Sequence, residues 1–594
     1  MRARPHTSAL LLLFQLLAVL SSLLGLPGCS RPAAAVREPE NAAPPEPEAP
    51  PEAPGPVTLS VIGTNDVHGR VGRMAVVGGY VANLRRARER DGGAVVLLDA
   101  GDMFQGTLES NMAEGAPMVA AFNALRYDAA ALGNHEFDYG PEGSDATPSR
   151  ADQDPRGALR ARVAEMRFPL LVANLRYRDG RPLDWPGVRP FVMLDDTHTA
   201  GVKVGIIGGT TAEALESTLA DNVRDLEVMP LAPAVKEAAA TLRAAGAQVV
   251  LLTVHAGGRC GSFDDPHDLR SCDPDEEIFG LARELGPGVV DLVVAGHSHA
   301  GIAHVVHGVP IIESYANGAA FGRADLTLVP GGGAPDVRLY PPRFICRNEH
   351  GTLDECETGE YEGALVTPHE GVLAATRDAL ANAEQLRARP LGVEVPVRLQ
   401  RRHRDEGPLG NLLTDLMLAL YPASDLAVLN AGGVRHSIAA GPLTYGELYE
   451  AIPFDNRFAL VRMSAREVRE MYEANLGSDN GLLLLSGMRV RARCAHGALT
   501  VQLLDARGRP VPDSRALQMV TNDFLATGDR HAFGRLRAEG AVTIEAGPPM
   551  RDRIAQLLSQ RGGSIDGRSP ALFDPAHLRV DYQGERPVRC APRR

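Results

Sequence analysis

Basic residues are in the minority in this chain, and lysine is almost missing. Lys and Arg total 61 against 74 Asp and Glu, a formal charge of −13 over 594 residues. Only two of those basic residues are lysines, Lys203 and Lys236, which reads as codon bias toward Arg. A surface built for polymeric nucleic acid carries basic excess to neutralise phosphates, so no nucleic-acid polymer is expected as a partner. Cysteine is sparse, at seven. A composition of 44% hydrophobic and 23% charged residues excludes a wholly disordered, collagenous or multi-spanning chain. At about 150 residues per domain, the length allows two to four domains with ample core.

What is there begins with an export signal. Arg2 and Arg4 precede an apolar run from Ala9 to Leu26, closed by Leu26-Pro27-Gly28-Cys29. That close resembles a bacterial lipobox. The resemblance implies a lipid on Cys29 and an exported protein anchored to a membrane, facing the periplasm or at the cell surface. The run is near spanning length, so an uncleaved anchor, or a simple signal with a bystander Cys, stays open. Residues 30–56 follow as a tether: residues 31–56 hold nine prolines among Ala and Glu, too little apolar surface to fold. With Cys29 set aside, six cysteines remain, which fits three disulfides in an exported chain. Local closure points to Cys260–Cys272, Cys346–Cys356 and Cys494–Cys590 among many possible pairings. A zinc site at Cys260 and Cys272 is the competing reading, but a second CxxC-type pair is missing.

From Val57 to about Cys346, short apolar runs alternate with helical patterns. Strands are expected at Val57–Gly63, Ala94–Leu98, Ala129–Leu132, Leu170–Ala173, Val202–Gly208, Gln248–Val254, Val290–Ala295 and Val309–Ser314, with an amphipathic helix over Leu231–Ala244. That alternation predicts an α/β layered domain. Several of these runs end in metal-ligand residues: Asn65-Asp66-Val67-His68, Gly101-Asp102, Gly133-Asn134-His135-Glu136-Phe137-Asp138, His255, and Gly296-His297-Ser298-His299. Loops at the carboxyl ends of parallel strands converge, and there open α/β sheets bind ligands. Asp66, Asp102 and Asn134 offer oxygens, and His68, His255, His297 and His299 offer imidazoles, a mixture that suits divalent Mn, Zn or Fe. One Asp or His after a strand is usually a cap or a satisfied polar group. Five of the chain's 17 histidines at the ends of apolar runs are not that ordinary outcome.

In chain order these motifs resemble the calcineurin-like metallophosphoesterase signature, and the run Gly133–Asp138 narrows the resemblance to the 5'-nucleotidase/UDP-sugar hydrolase family. The resemblance covers most of residues 57–594. It implies a four-layer sandwich, two packed sheets flanked by helices, followed by a smaller α+β domain. It further implies one metal on Asp66, His68, Asp102 and His299, and a second on Asp102, Asn134, His255 and His297. His135 and Asp138 resemble the catalytic dyad, with Asp138 fixing the imidazole tautomer; a turn cap is the plainer reading of Asp138.

The domain expectations are a signal over 1–29, the tether over 30–56, a dimetal phosphoesterase domain over 57–364, a linker helix over 365–391 and a substrate-specificity domain over 392–594. The linker stretch is bounded by Pro368 and Pro390, with Val372, Ala375, Leu380 and Leu386 loosely at helical spacing. Beyond it, Gly410-Asn411-Leu412 resembles the family's GNL segment. Asn430, Gly432 and Arg435 resemble its substrate loop, where Arg suits phosphate because it can form two parallel bonds. Phe454 and Phe524 resemble two aromatic segments whose rings sandwich a nucleobase, and Asp529 resembles the carboxylate on ribose. A turn residue, a solvated charge and core phenylalanines are the plain alternatives. Two departures stand out. Gly528-Asp529-Arg530-His531 has one glycine fewer than the family's Gly-Gly-Asp-Gly run. His403 stands where the family has an Arg, three residues before Glu406, so Arg404 or Arg402 is expected to substitute.

The expectation is therefore an exported, metal-dependent phosphoesterase that releases nucleoside and phosphate from nucleotides, with two divalent ions and no obligate protein partner. A 2',3'-cyclic nucleotide, a nucleotide sugar or a carrier-bound thiosulfonate is the alternative substrate on the same core. A non-catalytic surface-binding lipoprotein is the reading from another class, but a degenerate member would have lost ligands, and none of the seven is lost.

Overall fold

Strands buried on both faces read as continuous apolar runs, and those runs build two sheets that pack face to face. The structure, a computed structural model, describes residues 55–590 other than 144, 330–331, 348–355 and 529–532. Cys29 and Asp529 lie outside the described residues. Among those described, no helix is long and apolar enough to cross a membrane.

The first sheet runs in the order Asp336–Phe344, Ala320–Leu328, Val57–Thr64, Ala94–Asp99, Ala129–Ala131, Leu170–Leu171, Val188–Arg189. Its last five strands are parallel, and Ala320–Leu328 closes antiparallel on Val57–Thr64. In the second sheet the order is Gly301–Val306, Val309–Ser314, Leu292–Ala295, Val249–His255, Val204–Thr210, Phe191–Met193. Leu59, Val61, Val96, Ile206, Leu251 and Val294 fill the space between the sheets. Helices Val71–Asp91 and Ala116–Leu125 cover the outer face of the first. Helices Leu231–Ala244 and Glu277–Leu285 cover that of the second. The result is the four-layer sandwich. Helix Leu231–Ala244 forms where expected because Ala232, Val235, Ala238, Ala239 and Leu242 make one buried stripe.

The remainder, from about residue 390, is α+β. A five-stranded sheet runs Leu483–Ser486, Leu426–Asn430, Ala516–Asn522, Phe458–Ser464, Val542–Ile544 and packs on Pro408–Leu420 and Ala465–Leu476. The latter helix starts at a capping box between Ser464 and Glu467, which satisfies two otherwise orphan amides. Helix Glu370–Arg387 precedes this part. Its buried positions are Val372, Thr376 and Ala383, whereas Ala375, expected on the apolar face, is exposed. All six paired cysteines are bonded, as Cys260–Cys272, Cys346–Cys356 and Cys494–Cys590. The first bond leaves no thiolate for a zinc site.

Candidate metal centre and substrate cavity

Both sheets deliver their parallel strand ends to one edge. Asp66 and His68 follow Val57–Thr64, Asp102 follows Ala94–Asp99, Asn134 and His135 follow Ala129–Ala131, His255 ends Val249–His255, and His297 and His299 follow Leu292–Ala295. All seven expected ligands meet there. Asp66, His68 and His299 bring ligand atoms within 4.8 Å of one another, and so do Asp102, His255 and His297. Asn134 Oδ1 lies 3.0 Å from His255 Nε2. Close approach depends on glycine: a Cβ on Gly133 would stand 2.2 Å from Asp102 Oδ1.

Proton accounting shows what the cluster fits. A carbonyl can only accept, so His68 must donate Nδ1–H to Gln105 O at 3.0 Å, and His255 must donate Nδ1–H to Ala100 O at 2.9 Å. In its neutral form each ring then turns an Nε2 lone pair into the site. His255 Nε2 faces Asp102 Oδ2 at 3.2 Å, Asn134 Oδ1 at 3.0 Å and His297 Nδ1 at 3.1 Å. His68 Nε2 faces His299 Nε2 at 3.0 Å, and Asp66 Oδ1 is buried without a hydrogen-bond partner. With the ring neutral, the His255 Nε2 lone pair points at the Asp102 and Asn134 oxygens, acceptors that repel one another in a dry pocket, and a cation between them removes the conflict. The donor sets, imidazole nitrogen with carboxylate and amide oxygen, suit divalent transition metals.

The electrostatics agree. Burial opposes charge on His255, yet Asp102, Asp66 and Glu136 push its pKa up to about 10. Burial likewise works against a charged Asp102, but His255 and His135 hold it well below the usual carboxylate range. The site calls for positive charge. Glu136, quoted in its motif without a role, is a brace. It accepts from the amides of Asp102, Met103 and Gly133 at 2.7–3.0 Å. Burial and the neighbouring Asp102 carry its pKa up to about 7.

His135 Nδ1 sits 2.5 Å from Asp138 Oδ2, and Asp138 Oδ1 accepts from Thr218 Oγ1 at 2.8 Å. Thr218 is a positioning group that no local motif marks. Burial disfavours the imidazolium of His135, but Asp138 and Asp102 raise its pKa above the ordinary value.

These groups share one cavity of about 920 Å³ with residues of the C-terminal part. Asn430, Gly432, Arg435, Phe454 and Phe524 all line it. The Phe454 ring stacks on His135 at 5.7 Å between centroids, and the Arg435 guanidinium lies 5.9 Å from the same ring. Burial lowers the Arg435 pKa from its ordinary value, opposed by Asp102, Asp138 and Asp66.

Arg404 requires correction. It is exposed and pairs with Asp479 at 3.0 Å, outside the cavity lining. His403 lines the wall instead, with Arg401 behind it, held by Val434 O. The register shift expected of Arg404 does not occur: Leu482 N donates to His403 O at 2.9 Å and holds His403 beside the start of strand Leu483–Ser486. Asn456, also on the wall, was open to sequence reasoning as the residue two past Phe454.

Fold and site together define a calcineurin-like phosphoesterase, a phosphoester hydrolase dependent on metal. Its similarities are to the 5'-nucleotidases among these enzymes. Residues 385–535 match the family described as 5'-nucleotidase, C-terminal domain. Protein UshA of Yersinia enterocolitica is 25% identical over 504 residues, 79% of this chain and 85% of the relative. A 5'-nucleotidase of Vibrio cholerae is 26% identical over 448 residues, 69% of this chain and 74% of the relative. The crystal structure of a 5'-nucleotidase precursor from Thermus thermophilus has the same fold, with TM-score 0.67, 22% identity, and coverage of 89% of this chain and 100% of that one.

Proposed function

We propose that this protein hydrolyses the phosphate monoester of nucleoside 5'-monophosphates, using two divalent cations, one on Asp66, His68, Asp102 and His299 and one on Asp102, Asn134, His255 and His297. The observation that carries this reading is the single cavity holding ligand cluster, His135–Asp138, Arg435 and two phenylalanine rings. The similarity to a relative named 5'-nucleotidase supports it. When bound, such a cation pair lowers the pKa of water and draws charge from phosphoryl oxygens.

The chain's own residues do the rest. Arg435 forms no ion pair within the protein among the described contacts, and its planar fork matches two phosphoryl oxygens. Asp138, held by Thr218, keeps the proton on His135 Nδ1 and turns Nε2 toward the reacting centre, 3.9 Å from Asp102 Oδ2. A second proton, on Nε2, lets the ring donate to the phosphoryl or leaving oxygen as charge builds there. Phe454 and Phe524 offer apolar faces to a base, a stacking contact worth about 1–3 kcal/mol. In this reading 57–364 is the catalytic domain, 365–391 the linker and 392–594 the specificity domain, all exported and lipid-anchored through Cys29.

Phosphate release from AMP by residues 57–594 reloaded with manganese, beside an Asp102→Asn control, tests the proposal. Turnover lost in the control is expected. No release from AMP or any other nucleotide overturns it. A nucleotide-sugar substrate is the second reading, favoured by a cavity of about 920 Å³, at the roomy end of small-molecule sites; formation of UMP and glucose 1-phosphate from UDP-glucose distinguishes it.

A further inference from the structure

Among the amide side chains lining the cavity, Asn111 and Gln105 differ in one respect. Asn111 is satisfied: its Oδ1 accepts from Gly106 N at 3.1 Å and Tyr139 Oη at 2.9 Å, and its Nδ2 donates to Pro453 O at 3.1 Å. Gln105 is not. Its side chain is 2% exposed, both Oε1 and Nε2 are buried, and neither has a hydrogen-bond partner. A buried amide without partners costs folding free energy, and such groups persist where a ligand completes them.

The backbone around Gln105 is pinned, so the orphan amide is not a slack loop. Ser110 Oγ bonds Phe104 O at 2.6 Å, His68 Nδ1 bonds Gln105 O at 3.0 Å, and Gly106 N bonds Asn111. Gln105 thus serves the site twice. Its backbone carbonyl fixes the tautomer of His68, and the residue lines the cavity shared with Asp102, Asn134 and His135, its side-chain amide buried there without a partner.

We infer that Gln105 is a substrate-binding residue whose Nε2–H donates to a non-bridging oxygen of the bound phosphoryl group; this rests on the phosphomonoesterase reading above. The chemistry selects the atom. A phosphoester presents only acceptors, so the amide's donor is the end that can serve it. A neutral donor also fits the place. A carboxylate there would repel the phosphate, and a second cation would compete with the metals for Asp102.

The test uses the metal-loaded protein with Gln105→Met, which removes both polar atoms at similar volume, and Gln105→Glu, which keeps shape and replaces donor by acceptor. Three quantities are read: inorganic phosphate affinity by calorimetry, metal content, and melting temperature. Loss of one hydrogen bond to a charged group weakens phosphate binding by roughly ten- to a hundredfold in Gln105→Met, and by more in Gln105→Glu. Metal content should stay at the wild-type level, and Gln105→Met should melt at or above the wild-type temperature, because an unsatisfied amide has left the interior. A merely structural glutamine would lower the melting temperature instead. Unchanged phosphate affinity in Gln105→Met overturns the inference. So does lost nucleotide affinity with phosphate affinity intact, which would move the amide's contact to the organic half. If Gln105→Met does not fold, phosphate affinity in Gln105→Glu decides alone. Wild-type protein that binds phosphate but hydrolyses no phosphoester would overturn the function proposed above and leave this assignment standing.

Discussion

Replacing Arg551 by Met should blunt discrimination for the base while sparing phosphoester chemistry. Arg551, on helix Met550–Arg561, is far in sequence from the cavity, yet its buried guanidinium holds the loop that carries Phe454. It donates to Phe454 O at 3.2 Å and Ile452 O at 3.4 Å, pairs with Asp455 Oδ1 at 2.6 Å, and lies 3.9 Å over the Tyr449 ring. Methionine fills much of the volume and makes none of these bonds, so the ring loses its fixed height above His135. Ring-on-base stacking is worth about 1–3 kcal/mol, so forfeiting it lowers kcat/KM for AMP by about five- to a hundredfold. Ribose 5-phosphate, which has no base, is the control: its kcat/KM should move far less, so the ratio between the two substrates collapses. Arg551→Lys should recover part of the ratio through a single pairing with Asp455. If both substrates fall in equal proportion, Arg551 supports only the fold and the reasoning fails; an unchanged ratio is equally fatal.

Thr218→Val removes the hydroxyl that fixes Asp138; kcat should drop roughly two- to tenfold with KM unchanged and return in Thr218→Ser, and a constant kcat refutes the positioning role. Exhaustive chelation should lower the melting temperature as well as activity, since it returns bare acceptors to mutual contact; a metal-free protein that melts unchanged contradicts that account. Cys494–Cys590 spans 96 residues and Cys260–Cys272 spans 12. Chain entropy therefore sets ceilings of about 4–5 and about 3 kcal/mol, and Cys494→Ser should destabilise more than Cys260→Ser in calorimetry. Burial opposes charge on Asp325, but Arg323 and Ser60 hold its carboxyl below the ordinary value of 3.8. A depressed carboxylate pKa stabilises the fold above 3.8 and loses that contribution as pH falls through the lowered value. The melting-temperature gap between wild type and Asp325→Asn should accordingly be widest near neutrality and close in acid; a gap independent of pH refutes the assignment.

Most of the catalytic half was legible because its strands are fully buried and therefore read as apolar runs. All eight expected strands are present, with ends shifted by a few residues. Strands Ala320–Leu328 and Asp336–Phe344 were not anticipated. The first is interrupted by the Arg323–Asp325 pair, whose charges satisfy each other inside the sheet at 2.8 Å. The second alternates exposed and half-buried residues at the sheet edge and has no continuous apolar run. The metal cluster was readable because its ligands sit in short motifs at strand ends. Support residues were not: Thr218 reaches Asp138 across 80 positions and Arg551 reaches Phe454 across 97, and no local pattern encodes such partners. The substitution at His403 was visible, but which arginine stands behind it depended on the backbone hydrogen bond from Leu482 N to His403 O, 79 positions away.

Five of the seven clustered ligand residues, Asp66, His68, Asp102, His297 and His299, hold positive φ between 49° and 80°. Side chains with a Cβ resist that backbone, at about 1–3 kcal/mol each, and only a scaffold that over-determines the loops keeps them there. The consequence is evolutionary. In a lineage released from the need to hydrolyse anything, glycine at these positions relieves tension and is favoured by stability alone. Decay of this enzyme would begin at its reactive centre and leave behind a hardier, inert shell of the same shape.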